Sequence, residues 1–266
     1  MSEQFSPQWS QLLKEAVAQP GLLLKAYSAF HGYSIGNQLL ALVQCQMRGI
    51  QPGPICTYPG WFEKGRHVRK GERALVLCQP LTFKNREKQS ESDADSFTRF
   101  VYKARWFALS QTEGDPVEPP TIPEWSKERA LAALGISETA FDSTNGNSQG
   151  FARGRSIAIS PLAELPHKTR FHELGHVILG HTAEKDLNDG EHTPRSLMEV
   201  EAEAVALICC ETLGLDGAEF CRGYIQEWMS GGIEVIPERS AQKIFHAADQ
   251  ILKAGRPADE QKGEVN

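Results

Sequence analysis

His172-Glu173-Leu174-Gly175-His176 is the stretch of this 266-residue chain whose residue types and spacing most directly imply chemistry. Histidines four apart lie one turn apart on the same face of a helix, so both imidazoles reach one metal ion. Glu173 sits beside the first and can contact a water on an open coordination position. Zinc lowers the pKa of such a water to about 7, and a carboxylate can then take its proton. Coincidence on an amphipathic helix is the plain alternative. With 8 His and 25 Glu in the chain, chance predicts roughly 0.02 such motifs. Phe171, Leu174, Val177 and Ile178 supply the buried face that a helix here requires.

A third protein ligand is needed, and two places compete for it. His181 lies five residues after His176, just past Gly180, which ends the helix; the metzincin pattern HExxHxxGxxH has six, so the match is poor. The other place is the next helix, with Glu199-Val200-Glu201-Ala202-Glu203. Glu199 and Glu203 share a face and Glu201 points roughly opposite. A cation between carboxylates this close removes their repulsion, although a solvated acidic face has the same composition. The arrangement resembles the glutamate zincins, in which ExxA followed by an acid or amide lies on the helix after HExxH. That resemblance implies Glu199 as ligand and Glu203 as the residue orienting a histidine, with Glu203 as alternate ligand. It also implies that Arg155 to Ser160 is the edge strand along which an extended peptide lies.

A second constellation lies far upstream, from Trp61 to Arg73. It carries five Lys/Arg, a histidine and two aromatics in 13 residues. Cations neutralise phosphates while aromatic faces stack unpaired bases, the combination used by single-strand binders. Lys64, Arg66, Arg69, Lys70, Tyr58 and Trp61 are the candidate DNA-binding residues, with Trp106 extending the stacking surface. A basic hairpin with core aromatics would look the same.

These constellations need elements to carry them. Asp115-Pro116-Val117-Glu118-Pro119-Pro120-Thr121-Ile122-Pro123 holds four prolines in nine residues, too many for a helix or central strand. It predicts a linker at 115–123 between domains at 1–114 and 124–266. Before it, Ser6-Pro7 caps a helix through Leu12, Leu13 and Val17, and Ser34 caps a second through Leu39, Leu40 and Val43, stopped by Gly49. Ala74–Cys78 and Phe97–Leu109 read as strands joined by the polar loop 85–96. After the linker, helices are expected at Glu124–Leu134, His167–Leu179, Pro194–Leu213, Gly217–Met229 and Glu238–Leu252. A turn-rich loop covers Ser143 to Gly150, and Arg155–Ile159 is a short strand. The expected fold class is α+β: a small mixed α/β candidate DNA-binding domain, then a mainly helical domain that its resemblance to the glutamate zincins makes a zincin-like metallopeptidase.

Composition limits the alternatives. The chain is 40% hydrophobic and 23% charged, enough apolar residue for a core in water. No apolar run reaches the roughly 18 residues of a membrane span, and the first residues lack the features of a signal peptide. Six cysteines without a CxxC pair read as reduced thiols in a cytoplasm. The net charge of −6 divides into +5 up to Glu113 and −11 beyond it. A basic first half and an acidic second half suggest two domains with different partners.

Tyr33-Ser34-Ile35-Gly36-Asn37-Gln38-Leu39-Leu40, Tyr58-Pro59-Gly60-Trp61, Gly65-Arg66-His67-Val68-Arg69-Lys70-Gly71-Glu72 and Trp106-Phe107-Ala108-Leu109-Ser110-Gln111-Thr112 together resemble the N-terminal single-stranded-DNA-binding domain of ArdC-type antirestriction proteins. Those proteins join this domain to a zincin-like metallopeptidase domain, in the order found here, and the second domain is also similar to the ImmA/IrrE metallopeptidases. The resemblance, from about Ser6 to Leu215, implies a Zn2+ cofactor, single-stranded DNA and an unknown protein as partners, and protection of entering plasmid or phage DNA. Two further classes fit the residues: a regulatory metallopeptidase that cleaves a repressor, and a DNA-binding protein whose zinc site is structural or inactive. An intact Glu173 argues against the latter, since a structural site does not require it.

Overall fold

Apolar residues at helical spacing and two β-rich runs produce nine α-helices and eight strands among the described residues, which are 8–84, 96–118, 121–142, 148–182, 194–231 and 235–257 of the computed structural model. Before residue 120 the elements are α1 (Trp9–Ala18), α2 (Leu22–Phe30), α3 (Ile35–Arg48), β1 (Ile55–Thr57), α4 (Tyr58–Glu63), β2 (Arg66–Val68), β3 (Leu75–Lys84), β4 (Ser96–Ala108) and β5 (Thr112–Gly114). After it come α5 (Lys127–Leu134), β6 (Ser137–Thr139), β7 (Gly150–Arg153), β8 (Ser156–Ile159), α6 (Pro166–Ile178), α7 (Arg195–Leu213), α8 (Ala218–Ser230) and α9 (Glu238–Ala254). The fold is α+β. It divides into two compact units, one of Asn37–Pro120 and one of Pro7–Gly36 with Thr121–Glu264.

That division departs from the expected boundary, because α1 and α2 belong to the second unit rather than to a domain at 1–114. The reason is electrostatic. Neither α1 nor α2 has a side-chain cap of its own; the expected cap at Ser6-Pro7 lies outside the described residues. Carboxylates from distant helices take the open amides instead. Glu238 of α9 accepts from Trp9 and Ser10 N–H at 3.0 and 2.9 Å, and Glu211 of α7 accepts from Leu23 N–H at 3.0 Å. Asp249 of α9 accepts from Ile35 N–H at 2.7 Å, at the start of α3. A cap of this kind contributes on the order of 1 kcal/mol, and the negative charge suits the positive end of the helix dipole. Arg222 of α8 completes the attachment, donating to the Ala16 and Val17 carbonyls and pairing with Glu211.

In the first unit, β1, β4 and β3 form an antiparallel sheet in that order. This leaves the far edge of β3 in need of partners. Asn37 and Gln44, seven residues apart on one face of α3, supply them. Asn37 bonds both the N–H and the carbonyl of Cys78 at 2.8 and 2.9 Å, and Gln44 does the same at Val76 at 2.9 and 2.8 Å. The asparagine of the YSxxN motif therefore closes a sheet edge. Among the described residues, nothing from 116 to 126 is helix or strand.

In the second unit, α7 is buried from Val200 to Thr212 with no solvent face, as a helix apolar nearly all round should be. It packs on α6 at close range: a Cβ on Gly175 would lie 3.2 Å from the Ala202 Cα. Helices α5 to α9 follow the expected segments, and Gly135 ends α5 in the left-handed region at φ 62. Three elements of this unit go unread in the sequence, and one expectation fails. Helix α2 and strands β6 and β7 are too short or too irregular in pattern to be read from the sequence, and the three-stranded sheet has the order β6-β8-β7. Strand β8, which covers the expected edge strand, is thus central, with β6 parallel on one side and β7 antiparallel on the other. The loop expected at 143–150 lies outside the described residues except for 148–150, as does the hairpin loop at 85–95. All six cysteines are free thiols.

Candidate metal centre and basic segment

The HExxH sequence falls on α6, where Pro166 at the first turn fits a position whose amide needs no partner. His172 and His176 point to one side with their Nε2 atoms 3.1 Å apart. Glu199 Oε2, from the second turn of α7, lies 3.5 Å from each of them. Among the described residues these three form the single group whose donor atoms could hold a metal ion, all within 4.8 Å of one another. Donors bonded tetrahedrally at 2.0–2.1 Å to one cation stand about 3.3 Å apart, so the spacing matches. Two imidazole lone pairs aimed at each other across 3.1 Å repel unless a positive charge lies between them.

The outward-facing Nδ1 atoms are already engaged. His172 Nδ1 contacts Glu203 Oε2 at 2.7 Å, and the other Glu203 oxygen takes Lys168 Nζ at 2.7 Å. Glu203 therefore stands behind His172, not among the converging donors, while Glu199 is among them. His181 lies behind His176 and is likewise outside the converging set. Glu201, expected to point away from the site, is 1% exposed. Its Oε2 meets His181 Nε2 at 2.9 Å.

Glu173 occupies the rim. It lines a cleft of about 350 Å³ with His172, Lys168, Thr169, Gly150 and Phe220. Gly150, the first residue of β7, closes over it: a Cβ there would stand 3.1 Å from Glu173 Oε1 and 2.7 Å from Thr169 Cγ2. From the protein groups alone, burial raises the Glu173 carboxyl to about 7. Burial also lowers His176, with the neighbouring His172 charge, to about 4. For His172 burial acts downward, but hydrogen bonds to Glu199 and Glu203 outweigh it and hold the imidazole up at about 9. Burial would raise Glu203, yet its bonds to His172 and the Lys168 charge bring it to about 2. The centre thus favours one positive charge between the two rings and a carboxyl beside them that changes state near neutral pH.

The basic segment of the first unit is built differently. Trp61, a candidate for stacking, is 1% exposed and donates its indole N–H to the Phe107 carbonyl at 2.8 Å. Trp106 is 2% exposed. Both are core residues, because strand β4 and helix α4 close over them, and neither can offer a face to a base. Arg66 is committed as well: it bonds the Thr112 hydroxyl and carbonyl, Gly114 O and Asp115 O, tying β2 to β5. Arg69 pairs with Glu72 at 2.9 Å and also bonds Ser110 O. Glu72 in turn accepts from Gln111, whose carbonyl oxygen caps the Ala108 amide. Lys64 and Lys70 are exposed, without an ion-pair partner among the described residues. The aromatic surface is carried by Tyr58, 55% exposed, and by Phe62, 62% exposed, one turn later on α4. Phe62 meets the His67 ring edge-on at 5.5 Å. Sequence reasoning passed over Phe62; its spacing of four from Tyr58 was the available signal.

Residues 2–110 match the family described as the N-terminal domain of anti-restriction factor ArdC, and residues 132–220 match the IrrE N-terminal-like domain, a metallopeptidase-type family. An uncharacterised protein of Bacillus anthracis is 25% identical, the match covering 71% of this chain. The match spans 40% of that relative's length. Among solved structures, the Mn(II)-bound antirestriction ArdC protein from plasmid R388 superposes with a TM-score of 0.54 at 18% identity, covering 94% of this chain and 98% of that one. Its metal-free form gives 0.53 at 20% identity, covering 96% and 97%. No helix among the described residues is long and apolar enough to cross a membrane. The chain thus joins an ArdC-type N-terminal domain to an IrrE-like domain, in a fold like that of ArdC along nearly its whole length.

Proposed function

We propose that the second unit hydrolyses peptide bonds with a zinc ion held by His172, His176 and Glu199. The first unit binds single-stranded DNA, and both activities serve the protection of entering plasmid or phage DNA. The observation that carries this reading is the convergence of three donor atoms beside a buried carboxylate that opens on a cleft. A His2Glu set with room for a further ligand suits zinc, and the Mn(II) in the R388 ArdC structure supports a divalent cation in this fold. Bound there, the cation would supply Lewis acidity that polarises a peptide carbonyl and acidifies a water. Glu173 accepts the proton from that water at its carboxylate and delivers it to the leaving nitrogen. A nearby cation pulls its pKa below the value set by burial, so the group is a base at neutral pH. Glu203, anchored by Lys168, holds the His172 ring with its Nε2 lone pair inward. An extended substrate would lie along the outer edge of β7, which pairs among the described strands only with β8.

For the first unit, Lys64 and Lys70 with Tyr58 and Phe62 are the groups available to phosphates and unpaired bases, and Arg66 and Arg69 keep the ribbon beneath them in shape. One purified preparation tests both halves. Wild type should carry one zinc per chain, lost in His172→Ala, and should prefer single strands to duplex in a salt-sensitive way. Zinc without DNA binding would favour the second reading, a regulatory peptidase of the IrrE kind, which the match at 132–220 also supports. Glu173→Gln should keep both ligands and lose proteolysis; full protection of DNA by that variant would assign antirestriction to DNA occlusion alone.

A further inference from the structure

The two histidines of the centre are held from behind by different devices, and the second involves residues outside the HExxH sequence. Gly180, at φ 78 just past α6, turns the chain back. The turn is closed by bonds from Gly180 N–H to Val177 O at 3.2 Å and from His181 N–H to His176 O at 2.9 Å, the paired bonds of a Schellman motif. This fold-back sets the His181 ring against the His176 ring, with centroids 5.1 Å apart and the two Nδ1 atoms at 3.0 Å. The far nitrogen of His181 meets Glu201 Oε2 at 2.9 Å, with side chains only 7% and 2% exposed.

The direction of each bond follows from the donor inventory. If His176 offers the Nε2 lone pair to a cation, its single ring proton is on Nδ1 and must be donated to His181 Nδ1. His181 then carries its own proton on Nε2 and donates it to the Glu201 carboxylate. Every polar atom in the chain has one role, and no alternative arrangement satisfies all of them at once. We infer that His181 and Glu201 are positioning residues: a histidine–carboxylate relay that fixes the tautomer and ring orientation of His176, as Glu203 does directly for His172. The alternate glutamates of α7 therefore divide the work, 199 facing the cation, 201 facing His181 and 203 facing His172.

This inference rests on the metal-binding reading, and its test separates the two. Zinc affinity is measured on the full chain by competition with a chromophoric chelator, for wild type, His181→Asn, His181→Phe and Glu201→Gln, with melting in excess chelator as the check on folding. Loss of a partner behind a metal ligand costs about 10–100-fold in affinity. His181→Phe should show that loss. His181→Asn, which keeps an acceptor near Nδ1, should recover most of it, and Glu201→Gln should fall between. Affinity that follows side-chain volume, with Phe better than Asn, or that is equal in all four proteins, overturns the relay while leaving the metal site intact. A cobalt-substituted spectrum that loses a nitrogen ligand in both His181 variants would make His181 a ligand and likewise overturn it. Failure of wild type to bind any divalent cation overturns the metal reading and the relay together. If His181→Phe does not fold, Asn against Glu201→Gln decides.

Discussion

The centre in the second unit and the basic segment in the first are both dense in charge, yet they spend it in opposite ways. Around His172 and His176 every ring nitrogen and each of Glu199, Glu201 and Glu203 faces a partner, and these groups are buried or half-buried. Between Tyr58 and Arg73 the cations divide: Arg66 and Arg69 are tied to backbone and to Glu72, while Lys64 and Lys70 stay in water. A metal centre needs donors fixed before the cation arrives, because each loose ring costs affinity. A surface that tracks a flexible phosphate chain needs charges that remain hydrated until contact, and its binding is then sensitive to salt.

The comparison can be broken at several points. The largest effect should come from His172→Ala or Glu199→Ala: loss of stoichiometric zinc with single-strand affinity unchanged, read by metal analysis and fluorescence anisotropy. A DNA affinity that falls with the metal would show that the two regions are not separate in function. Next is Trp61. Truncation to Ala should cost about 3–5 kcal/mol of stability, as for other buried large aromatics, whereas Tyr58→Ala should leave melting unchanged. An unaltered melting temperature for Trp61→Ala would contradict the burial seen here. Lys168→Met removes the anchor of Glu203 and should weaken zinc about tenfold while sparing DNA. On the other side, Tyr58→Ala and Phe62→Ala should each cost about 1–3 kcal/mol of single-strand affinity. Lys64→Ala and Lys70→Ala should each flatten the salt dependence by about one unit of slope. The smallest effect is a pH test of a structural pair. Arg170 bonds both oxygens of Glu138 at 2.9 and 3.0 Å, and those bonds outweigh burial, which acts upward, and hold its carboxyl below the usual range. A depressed folded-state pKa stabilises above the unfolded value near 4.3 and loses that contribution as pH falls through the folded value. Glu138→Gln should therefore lower stability by about 1 kcal/mol or less at pH 7 and have no effect near pH 2.

Much of the centre was legible because its information is local. The HExxH spacing sets both rings on one helix face, and the spacing of Glu199 from Glu203 sets two carboxylates on another. Proline at the start of α6 and the glycine after α5 mark ends that the structure keeps. What was misread shares a different property. Whether Trp61 stacks on a base or fills a core depends on β4, more than forty residues away in the chain. The fate of the motif residues Asn37, Arg66, Glu72 and Gln111 depends on which backbone groups the sheets leave open.

Local spacing and helix-end residues thus determined α5 to α9 of the second unit, the two histidines with their acidic neighbour, and the presence of a carboxylate-rich helix to face them. The period of a helix is fixed within a few residues and needs no distant partner. Tertiary structure alone decided that Glu238, Glu211 and Asp249 would bind α1, α2 and the start of α3 into the second unit, across 229, 188 and 214 residues of chain. It also placed β8 at the centre of its sheet and brought Glu201 to His181. A side chain shows its type in the sequence, but the group it meets is set by which distant surfaces pack together, since burial leaves each polar atom to find its partner in whatever arrives.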